Sequence, residues 1–350
     1  MIRACLFISI LLFSIGQFTA SAQSRKVIID CDPGIDDATA LILAMNYPGF
    51  EILGITTGFG NAYLDQTTRN ALTIVELSKR NIPVYKGAEK PLRRLLGAPP
   101  DFVHGKDGLG NTNQPVPGNT IQPKPAAQFI VDIAKAHPGE VTIIAVDPLT
   151  NLAEAIKIDS TVVKSIKEVV LMGGGLHVPG NVNPVAEANV EGDPDAADFV
   201  FTAPWKVTMI GLDVTTKVKL NDDILLRIKN KNKQYGPFIF AITRFYLNFH
   251  KISDHLEGIY VHDASAVMYL IDSTIFKLTK GPVRVVTDGI AIGQTIMPAY
   301  DYQLQLLPWK DKPIVNAAIL VDADKFLKVF ESVMEKDSRG KTKQVSNTIN

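Results

Sequence analysis

Short apolar runs alternate with longer helical patterns along most of this chain, and that alternation limits the folds open to it. Residues 27–30 precede a helical pattern at 36–46, 51–57 precede 64–80, 141–146 precede 149–158, and 169–172 precede 194–202, with a further strand at 206–212. The strand segments are apolar at consecutive positions, so both of their faces must be covered. Strands of that kind separated by helices build a largely parallel central sheet flanked by helices, an α/β fold. In such a sheet ligands bind beyond the carboxyl ends of the strands. Four polar segments fall there: 30–37, 56–61, 146–151 and 172–189.

The N-terminus reads as a processing signal, not as part of the fold. Arg3 is followed by the apolar run 4–18 and by Ala20-Ser21-Ala22, a small-residue cleavage pattern. The run is shorter than the ~20 residues that span a bilayer, and two serines and a glycine dilute it. A signal peptide at 1–22, cleaved after Ala22, leaves a secreted or periplasmic chain with no membrane anchor. Residues 23–336 are then expected to form one folded domain, long enough to bury a large core. The polar stretch 337–350 is expected to be a disordered tail. Lys+Arg and Asp+Glu both total 36, so nothing points to a nucleic-acid partner. Of the two cysteines, Cys5 leaves with the signal and Cys31 remains alone. A secreted chain without a disulfide must be held by its core or by a metal.

Residues 90–125 are rich in proline and glycine and read as a long excursion over the site. Residues 221–235 read as a solvated polar stretch, and the aromatic segment 238–249 as a buried helix.

The segment "VIIDCDPGIDDATAL" (27–41) places Asp30, Asp32, Asp36 and Asp37 within eight positions. Helix initiation, with Asp32 as N-cap and Pro33 as the first helical residue, accounts for only part of that charge. An EF-hand loop fails on register: counted from Asp30, Gly34 sits at position five and Leu41 stands where a bidentate Glu is required. A phosphotransfer aspartate after a strand, Asp30, remains open. Carboxylates gathered at a strand–helix junction are hard oxygen donors suited to Ca²⁺ or Mg²⁺, and a divalent cation offsets their repulsion. The chain has no Cys/His spacing for zinc. "GGG" at 173–175 lacks the spacing of a dinucleotide or phosphate loop and reads as close backbone approach.

Six blocks then occur in order: "DCDPGIDDATAL" (30–41), "ITTGFGN" (55–61), "PLTNLA" (148–153), "EVVLMGGG" (168–175), "GNVNPVAEAN" (180–189) and "VHDA" (261–264). Together they resemble the calcium-dependent nucleoside hydrolases, the inosine–uridine preferring nucleosidases, over nearly the whole mature chain. The resemblance implies a Rossmann-like core, hydrolysis of nucleosides to base and ribose, a Ca²⁺ cofactor and a homo-oligomer, dimer or tetramer. It also implies that Asp32, Asp37, Asp263 and the Val146 carbonyl hold the metal, with Asp32 as general base. Asp36 is implied to accept from the ribose 2′-hydroxyl, with Asn61, Met172, Asn181, Glu187 and Asn189 around the sugar. Asp30 falls to a supporting place behind them.

His262, next to Asp263, resembles the family histidine that protonates the leaving base, with an ordinary pKa in the useful range. His104 resembles the family's loop histidine near the base. Three departures bear on substrate choice: Asp147 stands where glycine is common, Ala188 where an aromatic residue is common, and "LHVPGN" is one residue longer than usual. Two other readings stay open, a metal-dependent phosphohydrolase using Asp30 and a catalytically silent nucleoside- or ribose-binding protein.

Overall fold

The computed structural model describes residues 24–336, so the segments 1–22 and 337–350 lie outside the described residues. Six strands come first: β1 (Arg25–Cys31), β2 (Phe50–Thr57), β3 (Val84–Lys86), β4 (Thr142–Ala145), β5 (Glu168–Met172) and β6 (Val207–Ile210). They lie side by side in the order β3-β2-β1-β4-β5-β6, all parallel. The short strands β7 (Lys219–Leu220) and β8 (Ile259–Tyr260) pair with each other. Next come β9 (Phe276–Gly281), the small ribbon β10 (Arg284–Val285) with β11 (Thr295–Ile296), and β12 (Val315–Val321). β12 joins β6 in parallel, and β9 closes the edge antiparallel to β12, giving a sheet of eight strands.

Alternation within each strand feeds two apolar layers. Val27, Ile29 and Cys31 of β1 point into one, while Ile28 points into the other. Val170 and Met172 of β5 join the first, and Val169 and Leu171 the second. Helices Ile35–Asn46, Leu64–Ser78, Gly236–Ser253, His262–Ile271 and Ala323–Met334 cover the first layer. Helices Ala126–Ala136, Thr150–Ile158 and Pro194–Thr202 cover the second. Each fully buried Ile, Leu or Phe contributes about 1.5–3 kcal/mol relative to exposure. That core holds a described chain whose one cysteine, Cys31, is buried and unpaired. Where β1 and β2 slip register between Val27 and Ile28, Gly54 admits the stacked pair Tyr85–Phe129. A Cβ there would lie 2.6 Å from the Phe129 ring.

Several boundaries depart from the sequence expectation for local reasons. Residues 221–235 are not a solvated stretch: Asp222–Lys231 is a helix capped by the Asn221 side chain, with Ile224, Leu225 and Ile228 buried. Its polar majority hid an apolar stripe at helical spacing. The strand expected at 206–212 ends at Ile210, and Leu212 opens the helical turn Leu212–Thr215. The first helix, expected from residue 36, starts at Ile35 with Gly34 as its cap. No helix among the described residues is long and apolar enough to cross a membrane.

Candidate active site

β1 has β2 on one side and β4 on the other, so the winding of the sheet reverses between β1 and β4. A crevice opens at such a reversal, beyond the carboxyl ends of the strands. Asp30 and Asp32 leave β1 there, and Val146 and Asp147 leave β4 beside them. Asp36 and Asp37 stand in the first turn of Ile35–Asn46 and Asp263 in the first turn of His262–Ile271. One ligand oxygen from each of these three lies within 4.8 Å of the others. The positive ends of two helices therefore converge on the carboxylates and moderate their repulsion.

The expected metal residues sit at this point in different ways. Asp37 accepts from the backbone N–H of Asp32 at 3.1 Å and of Gly34 at 3.0 Å. Asp32 Oδ2 accepts from the Asn61 N–H at 2.7 Å, and the Asn61 amide bridges to Asp37 Oδ2 at 2.8 Å. Asn61 thus ties the carboxylates together. This approach needs the extended positive φ of Gly60, +150°, since a Cβ there would fall 1.9 Å from Asp32 Oδ2. The Val146 carbonyl accepts from Asn189 Nδ2 at 3.2 Å, and the Met172 carbonyl from the same amide at 3.1 Å. Asp36 joins the metal-sized cluster, a place the sequence reading did not give it, and its Oδ1 is buried without a hydrogen-bond partner.

Electrostatics follow from burial. Desolvation, reinforced by neighbouring carboxylates, raises Asp32 and Asp263 well above the usual range and Asp37 to about 7. Hard oxygen donors that repel one another and leave an orphaned oxygen fit a divalent cation. Behind them, Asp30 accepts at Oδ1 from Thr56 Oγ1 and from Asn151 Nδ2, and burial raises it to about 6. Asp147 is turned inward: it is fully buried, neither of its carboxylate oxygens has a hydrogen-bond partner, and burial with the Asp30 charge beside it raises it well above the usual range. Asp30 Oδ1 is thus held by two side-chain donors, while its Oδ2 is buried without a hydrogen-bond partner.

Glu187 is buried and binds three backbone donors, Gly174, Asn189 and Val190, and burial pushes it up to about 7. It pins the glycine loop, together with Asp213, which accepts from the N–H groups of Leu176 and His177 at 2.8 Å each. Met172 is buried beneath Asn189, its sulfur 3.5 Å from the amide. Asn181 is exposed, and its side chain accepts from Ala188 N at 3.0 Å; the structure does not bring it to the carboxylates.

The excursion 90–125 delivers His104 to the site. It is buried, its Nδ1 accepts from Ile35 N at 3.2 Å, and it lies 3.9 Å from Asp36. His262 bonds Thr215 Oγ1 through Nδ1 at 2.8 Å. Burial lowers it to about 4, so the expectation of an ordinary imidazole is not met. Sequence reading assigned nothing to Asn151, Asp213, Tyr246 or His250. Asn151 lay in a quoted block, whereas Tyr246 lay within an aromatic segment read as a buried helix and His250 just past its end.

A family model for inosine-uridine preferring nucleoside hydrolases matches residues 27–328. Uridine nucleosidase 1 of Arabidopsis thaliana is 41% identical over 90% of this chain and 94% of its own length. Among solved structures, a plant nucleoside hydrolase superposes with a TM-score of 0.86 at 34% identity, covering 89% of this chain and 99% of that one. A purine-preferring ribonucleoside hydrolase from Gardnerella vaginalis gives 0.83 at 33% identity, covering 89% and 98%. The chain belongs to the inosine-uridine preferring nucleoside hydrolase family.

Proposed function

We propose that this chain hydrolyses the N-glycosidic bond of ribonucleosides to free base and ribose, with Ca²⁺ as cofactor and Asp32 as general base. The observation that carries the reading is the meeting of Asp36, Asp37 and Asp263 within 4.8 Å at the reversal of the sheet. Asp32, Asp37, Asp263 and the Val146 carbonyl would hold the ion, an all-oxygen set that suits calcium. When bound, the ion supplies positive charge that acidifies a neighbouring water.

The remaining work falls to the chain. Asp32, fixed by Asn61, takes a proton from the attacking water. Asp36 accepts from the ribose 2′-hydroxyl with its unpartnered oxygen. Positive charge grows on the sugar as the bond to the base loosens, and nearby carboxylates stabilise it more in the transition state than in the ground state. Glu187 and Asn189 hold the sugar from the opposite loop. The N-terminal segment supports a secreted or periplasmic enzyme that scavenges nucleosides, and the family resemblance supports a homo-oligomer.

The test is ribose release from uridine, inosine, cytidine, adenosine and guanosine by the mature chain, with and without a calcium chelator. Turnover abolished by chelation and restored by Ca²⁺ is the expected result. A folded, calcium-loaded chain that binds nucleosides without turnover would replace this reading with the silent binder.

A further inference from the structure

Three glycines in succession, Gly173 to Gly175, link β5 to the segment that carries Glu187 and Asn189. Glycine loses more conformational freedom on folding than any other residue, so the shape of such a loop has to be imposed by partners. Three buried side chains impose it. Glu187 accepts from the Gly174 N–H at 2.8 Å, and Asp213 from those of Leu176 and His177. Between them stands Thr295, 3% exposed, which reaches the loop from 120 residues further along the chain. Its Oγ1 accepts from the Gly175 N–H at 3.0 Å and donates to the Gly175 carbonyl at 2.7 Å. One hydroxyl thus fixes both polar groups of a single residue. Its methyl packs on the preceding one, where a Cβ on Gly174 would lie 2.7 Å from Thr295 Cγ2.

Thr295 is itself firmly held. It lies in β11, opposite Val285 of β10. Asp198 of helix Pro194–Thr202 accepts from the Arg284 side chain at 2.7 and 2.8 Å and from the Val285 N–H at 2.9 Å. The turn of the same ribbon touches the Glu187 segment a second time, since a Cβ on Gly293 would fall 2.8 Å from Ala186 Cβ. The β10–β11 ribbon therefore braces both the glycine loop and the residue before Glu187.

We propose that Thr295 is a positioning residue for the sugar site: it sets the glycine loop, and the Gly174 N–H of that loop sets the Glu187 carboxylate against the ribose. This rests on the nucleoside-hydrolase reading, with Glu187 and Asn189 at the sugar. Glu187 stands close enough to the aspartates to feel the charge of Asp36. The same carboxylate caps the helical turn Ala188–Gly192, which carries Asn189. A displaced Gly174 therefore moves two sugar contacts at once. A misplacement of about 1 Å at a reacting centre can cost about 100-fold in rate, so a support remote from the sugar reaches turnover through geometry alone.

The experiment is a double-mutant cycle read as kcat/KM on uridine with the calcium-loaded full chain. Thr295→Val keeps the shape of the side chain and removes both hydrogen bonds, and it is expected to lower kcat/KM by about tenfold. Thr295→Ser keeps the hydroxyl and should stay within about threefold of wild type. Glu187→Gln alone should cost about tenfold or more. Adding Thr295→Val to it should cost less than about twofold further, because residues that act through one another are not additive. Support of the fold in general would repeat the full loss in that background. Circular dichroism melts place every assay below the variant's midpoint, and Thr295→Ala replaces Thr295→Val if the latter does not fold. Undiminished turnover in Thr295→Val, an equal loss in Thr295→Ser, or additive losses in the cycle would overturn the assignment. Wild-type turnover in Glu187→Gln would overturn it while leaving the hydrolase reading in place. A wild-type chain inert on every nucleoside would overturn the hydrolase reading and this assignment with it.

Discussion

The Asn61 amide donates to Asp37 Oδ2 at 2.8 Å and to Asp32 Oδ1 at 3.3 Å, tying two carboxylates from different elements into one unit. Its backbone N–H adds a third bond, to Asp32 Oδ2. Supporting partners of this kind hold ligands in place before an ion arrives and typically carry a 10–100-fold effect on affinity. Asn61→Ala is therefore expected to weaken calcium binding by about tenfold or more. A calorimetric calcium titration checks it, and wild-type affinity in the variant would leave Asn61 with a task at the substrate instead.

Calcium should stabilise the protein more at pH 8 than at pH 5.5. Burial raises Asp37 to about 7 and Asp30 to about 6 in the metal-free fold, above an ordinary value of 3.8. A raised carboxylate contributes stability that is complete below its unfolded pKa and is lost as pH rises through the folded value. The chelated protein thus loses stability between about pH 4 and pH 7 or above, as the cluster ionises against itself. The ion needs those same carboxylates deprotonated, so its affinity rises over that range. Melting curves with chelator and with calcium at the two pH values measure the difference. An equal or larger calcium shift at pH 5.5 would show that the cluster is already ionised there.

The doubly wound sheet was legible because its strands are apolar at successive residues, and β1, β2, β4 and β5 fall where those runs lie. The aspartate cluster was legible because four carboxylates so close in sequence have few structural explanations. What escaped were contacts between segments far apart in the chain. Asn61 reads as a loop polar group until the fold places it over Asp32 and Asp37, 29 and 24 residues earlier. His250 and Asp254 are four residues apart and pair in the fold, yet the sequence reading singled out neither. The desolvation that lowers His262 depends on packing, which no local pattern encodes.

Asp32→Ala is expected to lose most turnover, on the order of 100-fold or more, because it removes the general base. Circular dichroism and melting under chelation should show a folded chain, since the substitution also removes a carboxylate from a repelling cluster. Near-normal ribose release by this variant would take Asp32 out of the mechanism.

Asp147→Asn separates a supporting role from a burdensome one. Asp147 is buried beside Asp30 with no hydrogen-bond partner, and burial, reinforced by the Asp30 charge, makes it costly to ionise. An asparagine keeps the shape of the side chain without that charge problem. The variant is expected to be as stable as wild type at pH 6 and more stable at pH 8 under chelation, by about 1 kcal/mol or more. Denaturant melts at the two pH values decide it, and a loss at both would mean that the charge on Asp147 is needed.

His262→Gln should flatten the acid side of the stability profile. Burial depresses His262 from 6.5 to about 4, so the folded state resists taking up a proton that the unfolded chain accepts readily. For a depressed group the contribution is complete above the unfolded value and is lost as pH falls towards the folded value. The window therefore runs from about pH 6.5 down to about pH 4, and the full effect is on the order of 3 kcal/mol at ~1.4 kcal/mol per unit. The carboxylates of the cluster work in the opposite direction, but they are shared by both proteins and cancel in the difference between the two curves. Denaturant melts of wild type and variant under chelation at pH 7.5, 6 and 5 measure that difference. A gap that narrows steadily towards pH 5 is the expected course, while a constant gap would show that His262 takes up its proton in the folded state as easily as in the unfolded one.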